Sequence, residues 1–241
     1  MILSAADLLD AWERGLEHPP FLKALTILSA AYPAARFDDI LDLSIGRRDF
    51  MLFELRKDIF GPKLVCQFSC PGCNDLMELE LHSKELIFEP RIESDGLLRF
   101  SDPGYCIDFR LPSSRDLLES NRKDPDTLRL NLLKRCILRA YKGGEQIDIK
   151  DIPEGVLSAI EERMSEADPQ ADIQIAMRCP SCNEQVQGLF DIVSFFWMEI
   201  DAWANHLLEQ VSILASSYGW SEKEILGLSP LRRQIYLSLV N

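Results

Sequence analysis

The same four-residue turn occurs twice in this chain, as Cys70-Pro71-Gly72-Cys73 and as Cys179-Pro180-Ser181-Cys182, and nothing else in the sequence narrows the folding choices so far. Each copy is followed by Asn and flanked by strand-like residues. A Cys-x-x-Cys turn presents two sulfurs to one side. Zinc accepts a tetrahedron of thiolates at about 2.3 Å, so two such turns complete one closed structural site. Cys70, Cys73, Cys179 and Cys182 are therefore the expected ligands of a structural zinc ion, with no position left open for water. A lone turn would read as a redox pair; two copies with Pro in the same place favour a metal over a redox or disulfide role. Iron also accepts four thiolates.

Alternation around the turns predicts two hairpins. Leu64, Cys66 and Phe68 share one face of a strand entering the first turn, and Met77, Leu79 and Leu81 share one face of the strand leaving it, with Glu78 and Glu80 opposite. Ile173, Ile175 and Met177 repeat the pattern before the second turn, and Gln185 to Phe190 returns. A two-stranded hairpin is marginal alone, so the two are expected to pair around the ion. Closing the loop between them costs about 4 kcal/mol plus a constant, against roughly 10–16 kcal/mol from a structural zinc site.

With 241 residues, 46% hydrophobic and 27% charged, the chain can bury a core as one large domain or two small ones. Its N-terminus lacks a basic leader, and its longest mainly apolar run, Ala24 to Tyr32, falls far below the ~18 residues that span a bilayer. A cytoplasmic location with reduced thiols is expected, and seven cysteines, an odd number, do not make a disulfide framework. Binding to phosphate backbones needs clustered Lys and Arg. The net charge is −13, and only Lys63, Lys84 and Arg178 lie near the turns, so a zinc-ribbon nucleic-acid-binding or regulatory adaptor is the second choice. Glu145 to Asp172 holds nine acidic residues and two basic ones, which reads as a solvated helical face or as a docking surface for a basic partner.

Outside the hairpins the chain reads as helical. Ser4 and Asp7 form a capping box ahead of Leu8, Leu9 and Trp12; Pro19-Pro20 separates that helix from one through Leu25 and Leu28; a third spans Ile45 to Phe60 and stops at Gly61-Pro62. Tyr105 to Arg110 pairs with Leu97 to Phe100 across the turn Ser101-Asp102-Pro103-Gly104. Helices are expected at Arg115 to Glu119, Asp126 to Tyr141 and Pro153 to Glu166, with Lys142-Gly143-Gly144 stopping the second. In that reading Cys136, Leu133, Ile137, Ala140 and Tyr141 form one helical stripe. A long helix from Ile192 to Tyr218 carries Phe196, Ile200, Trp203, Leu207, Val211 and Leu214 on one stripe, which reads as core or, since the consecutive Phe195, Phe196 and Trp197 cannot all point inward, as a partner groove; short capped helices begin at Ser221 and Ser229-Pro230.

The expected class is thus α+β, mainly helical, with a discontinuous four-cysteine zinc ribbon. Its parts are an N-terminal helical module (1–61), the first knuckle hairpin (62–82), an acidic insertion of a hairpin plus helices (83–171), the second knuckle hairpin (172–190) and C-terminal helices (191–241). Cys66, Cys106 and Cys136 read as small core residues. No catalytic signature accompanies them: the three histidines, His18, His82 and His206, form no His-Glu-x-x-His, and there is no phosphate-cradling loop or nucleophile elbow. The reading is non-enzymatic, and His82 is the first substitute if one cysteine were not a ligand.

Several short motifs carry a further likeness. These are Leu9-Asp10-Ala11-Trp12-Glu13-Arg14-Gly15, the paired cysteine turns, Phe109-Arg110-Leu111-Pro112 with Asp116-Leu117, Ala167-Asp168-Pro169-Gln170-Ala171-Asp172, Phe190 to Trp197, and Arg232-Arg233-Gln234-Ile235-Tyr236. With them the chain resembles, over nearly its whole length, the baseplate hub assembly proteins of T-even-type phages and their relatives in bacterial extracellular contractile injection systems. The resemblance implies a non-catalytic assembly factor for the baseplate hub or spike, acting as a chaperone or a minor component. Its partner would be a hub or spike subunit, and its place the cytoplasm of the producing bacterium or the assembling tail particle.

Overall fold

The computed structural model describes residues 3–88, 97–120 and 125–240, without the side chains of 125 and 126. The first half runs α1 (Ala5–Gly15), α2 (Pro20–Ala31), α3 (Phe37–Leu41), α4 (Ile45–Phe60), β1 (Lys63–Ser69), β2 (Leu76–His82), α5 (Ser83–Leu86), β3 (Leu97–Asp102), β4 (Tyr105–Arg110) and α6 (Ser114–Glu119). There follow α7 (Pro125–Cys136), β5 (Ile137–Lys142), β6 (Glu145–Gln146), α8 (Glu154–Ala167), β7 (Ile173–Arg178), β8 (Gln185–Phe190), α9 (Ile192–Tyr218), α10 (Glu222–Leu226) and α11 (Pro230–Val240). The class is mixed α+β. The chain divides into two compact units, Met1–Pro33 with Val193–Asn241, and Ala34–Ile192.

The first unit is helical. Ser4 and Asp7 cap α1 reciprocally, as the sequence predicts, and Pro20 occupies the first position of α2, where a missing N–H costs nothing. Leu8, Leu9 and Ala11 of α1 and Ala24, Leu25 and Leu28 of α2 are buried. On α9, Phe196, Ile200, Leu207 and Leu214 form the expected buried stripe, whereas Trp203 is half-buried. Trp197 is also buried, against α1: a methyl group at Gly15 would overlap its indole, and the Lys23 ammonium lies 4.5 Å from its ring centre. Trp12 Nε1 donates to Asp201 Oδ1 at 2.8 Å, so the two motifs around Trp12 and Trp197 serve the same α1–α9 packing. At the far end Ile225 packs on Val211 and Leu214, and the rings of Tyr218, Trp220 and Tyr236 meet at 4.6 to 5.7 Å.

The second unit holds two separate two-stranded sheets, β1-β2 and β7-β8, and one four-stranded antiparallel sheet in the order β3-β4-β5-β6. The four-stranded sheet corrects the sequence reading. The helix expected from Asp126 to Tyr141 ends at Cys136, and Ile137–Lys142 continues as strand β5. Apolar residues at 133, 136, 137 and 140 suit a helix, but Ile107 and Phe109 of β4 leave an unpaired edge that Ala140 and Ile137 complete. Lys142-Gly143-Gly144 is accordingly a hairpin turn to β6, its glycines at φ 59° and 91°, a conformation closed to most side chains. Ile107, Phe109 and Ala140 pack with Leu133 of α7 and Leu157 and Ile160 of α8 into one core.

Polar clamps account for two more of the family-like motifs. Asp116, its side chain 1% exposed, receives two parallel bonds from Arg110 at 2.6 and 2.7 Å and caps α6 by accepting from the Ser113 N–H at 2.9 Å. Asp168 Oδ2 accepts the Gly46 N–H at 2.9 Å, at the start of α4; a side chain at 46 would overlap that carboxylate. Gln170 bonds the backbone at Leu86 (3.2 Å) and Phe88 (2.6 Å). The strand ahead of the first cysteine turn and the strand behind the second are thus tied into one body: Phe53 of α4 stacks on Phe190 of β8 at 5.7 Å, and Arg56 of α4 donates to the carbonyls of Gly61 and Lys63 at the entry to β1.

Candidate metal centre

The two cysteine hairpins are copies. In the first, Ser69 pairs with Leu76 and Phe68 with Met77; 109 positions later, Arg178 pairs with Gln185 and Met177 with Val186. In each turn the first cysteine's N–H bonds the carbonyl five residues on (Cys70 to Asp75, 2.9 Å; Cys179 to Glu184, 2.8 Å), and the Asn N–H bonds back to that cysteine's carbonyl (Asn74, 2.8 Å; Asn183, 2.9 Å). Both asparagines are left-handed, at φ 58° and 64°, a region Asn tolerates better than other side chains. The recurring Cys-Pro-x-Cys-Asn string is therefore one backbone device that turns two sulfurs the same way.

Between them the hairpins bring all four expected sulfurs together. Every Sγ of Cys70, Cys73, Cys179 and Cys182 lies within 4.8 Å of the others, with Cys70–Cys182 at 3.5 Å and Cys73–Cys179 at 3.6 Å. Both short separations join different hairpins. Thiolates about 2.3 Å from a central ion stand about 3.8 Å apart at the corners of a regular tetrahedron, and disulfide sulfurs stand about 2.05 Å apart. The spacing fits a cation and not a bond, and all seven cysteines are free thiols.

Cys70 and Cys179 are buried with Met77 and Val186, against Phe68 and Met177, while Cys73 and Cys182 are exposed. The six core positions are the same three of each hairpin. Phe68 lies over Gly188 of the other hairpin, where a β-carbon would come within 3.3 Å of the ring, and Ser181 Oγ donates to Asp75 across the outer side.

The electrostatics suit a cation. The N–H groups of Cys182 and Ser181 bond to the Cys179 sulfur and bring its thiol down to about 7. Asp75's N–H acts the same way on Cys73, but the surrounding sulfurs of Cys182, Cys179 and Cys70 prevail and hold it up at about 12. Cys182 is raised too, its Glu184 N–H outweighed chiefly by the Cys70 sulfur. One thiol ionises readily and its neighbours then resist, because four like charges cannot share so small a volume; a divalent ion removes that repulsion.

The other candidate residues lie elsewhere. Cys66 is buried on β1 and Cys136 ends α7 with its thiol pushed up to about 12 by burial, as core cysteines; Cys106 is half-buried. His82 caps α5, its Nδ1 accepting the Lys84 N–H at 3.3 Å, and is not among the clustered donors. His206 is exposed on α9. Asp75, Ser181 and the two asparagines, which order the turns, were not singled out by residue type; only the repeat of Asn after each turn hinted at them.

Residues 24–197 match the model of the family described as T4 bacteriophage base plate protein. The chain belongs to that family. The match takes in both cysteine turns and the Asp116 and Asp168 clamps, so it covers the whole body that carries the site. No curated protein and no solved structure matches the chain. Membership in a base plate family supports a structural or assembly role beside other base plate components. Among the described residues, no helix is long and apolar enough to cross a membrane.

Proposed function

We propose that the chain is a non-catalytic assembly factor for the hub or spike of a contractile phage tail or injection system, stapled by a structural zinc ion. The observation that carries the staple is the four-sulfur cluster, built from two turns 109 positions apart at tetrahedral spacing. Cys70, Cys73, Cys179 and Cys182 would hold the ion, which supplies charge neutralisation and cross-linking and no reaction. All four donors come from the protein, so no coordination position remains for substrate or water.

The partner is a hub or spike subunit, and the chain serves as its chaperone or as a minor component of the finished particle. A family match that includes both turns supports this reading, and a net charge of −13 favours a protein partner over nucleic acid. The working location is the cytoplasm of the producing bacterium and the tail particle growing there.

The test is affinity purification from cells expressing the whole gene cluster, with metal analysis of the same sample. A hub or spike subunit should copurify, with one zinc per chain, and deleting the gene should abolish contractile particles. Normal numbers of assembled particles after deletion would refute the assembly role; stoichiometric iron or no metal would refute the zinc assignment.

A further inference from the structure

One buried arginine of the first unit has no acid. Arg233 of α11 is 4% exposed. Its Nη1 donates to the Leu228 carbonyl at 2.8 Å and its Nε to Gln210 Oε1 at 3.4 Å, both neutral. Nη2 has no acceptor among the described residues, yet it is not sealed from solvent. Arg48, Arg110, Arg115 and Arg129 each reach a carboxylate at 2.5 to 2.9 Å. Desolvating a guanidinium without a counter-charge is costly, and burial holds Arg233 below its ordinary range.

Arg233 lines a cavity of about 200 Å³. Trp203, His206, Leu207, Gln210 and Gln234 form walls with it, and no acidic residue does. In a chain carrying 39 acidic side chains, a cavity lined by a guanidinium and by no carboxylate can take an anion without like-charge repulsion. The planar fork matches a carboxylate with two parallel bonds. Trp203 and Leu207 suit a short carbon stem and the amide of Gln234 a peptide-like group, while the Gln210 amide is engaged by Arg233 Nε at 3.4 Å and His206 Nε2 at 2.9 Å. The volume is below that of pockets for drug-sized ligands, which excludes a nucleotide. The exposed carboxylate of Glu209 stands outside, 3.8 Å from His206 Nδ1.

We propose that this cavity binds a carboxylate on a short stem, of the kind an acidic side chain or a free chain terminus of another protein presents. The site lies in the first unit and is independent of the four sulfurs; it would stand even if they held no metal.

The test uses the full-length ¹⁵N-labelled protein at constant ionic strength. N-acetylglycine presents a chain terminus, N-acetylglutamic acid α-amide presents only a side chain, and inorganic phosphate is the competing anion; the Trp203 indole N–H and the Arg233 Nε–H are followed. At least one carboxylate should give a saturable shift of both signals, with phosphate at least ten-fold weaker, and the better of the two identifies the source. Arg233→Lys, which keeps the charge but not the fork, should weaken binding at least ten-fold. Linear shifts with both acids, phosphate binding as tightly, or unchanged affinity in Arg233→Lys would each overturn the proposal. If Arg233→Lys does not fold, the wild-type Arg233 Nε–H decides: a signal that stays put while Trp203 saturates overturns it equally.

Discussion

The cysteine hairpins and the four-stranded sheet belong to one unit and are built from strands mostly of six or seven residues, but they are held by different means. The sheet lays Ile107, Phe109 and Ala140 under two helices, in a core of seven buried residues. The hairpins share four, two of which are cysteines. Apolar burial at roughly 25 cal/mol per Å² stabilises the first directly. It leaves the second short, and there the metal proposed for the sulfur cluster would take the place of a core. The contrast teaches that a short antiparallel pair needs either a covering layer or a cross-link, and with the proposed ion in place this chain would use one of each.

Stripping the metal is the sharpest way to break that comparison. A strong chelator, or Cys73→Ser, should lower the melting temperature by upwards of about 10 °C, since site energy exceeds the loop-closure cost by several kcal/mol. Hydrogen exchange should then show β1, β2, β7 and β8 losing protection while β3, β4 and β5 keep theirs; equal loss in both would remove the distinction. The reciprocal variant is Phe109→Ala. It should cost about 3–5 kcal/mol in denaturant melts and leave the metal content unchanged, whereas lost metal would mean the two regions stand or fall together.

A third expectation concerns pH. Burial raises the Asp49 carboxyl to about 6, against the pull of Arg48 at 2.7 Å. A raised carboxyl binds its proton more tightly folded than unfolded, so its contribution is present below about pH 4 and is lost as pH rises through about 6. Wild-type stability relative to Asp49→Asn should fall on the order of 3 kcal/mol across that window; a flat difference would contradict it. The smallest effect belongs to the clamp at the start of α4. Gly46→Ala would collide with Asp168 and should cost about 1–3 kcal/mol by thermal melting, with metal retained.

What the residues disclosed beforehand follows the range of the forces involved. The hairpins and their four sulfurs were legible because alternation and Cys-x-x-Cys spacing are local, and the second copy confirmed the first. Strand β5 was not, since Leu133, Cys136, Ile137 and Ala140 satisfy a helical period and the edge that recruits Ile137 and Ala140 lies some thirty positions upstream on β4. Asp168 and Gly46 are 122 positions apart, and no pattern along the chain announces that one will cap the other. Arg233 stood in the sequence only as part of the Arg232 to Tyr236 motif, with nothing local to mark it as buried; its partners are Gln210 of α9, 23 positions upstream, and the carbonyl of Leu228.

The matched registers of the two hairpins also carry a timetable. Ribosomes add roughly 5–20 residues per second, so the leading turn is synthesised, and later leaves the exit tunnel, roughly 5–20 seconds ahead of its twin. Throughout that interval Cys70 and Cys73 stand without the two later sulfurs, open to oxidants, to stray cations and to the matching turn of a neighbouring nascent copy on the same message. The later turn can finish the job in trans as well as in cis, and the clamps around Asp168, made only when α8 has been synthesised, favour the chain's own second half as the winner.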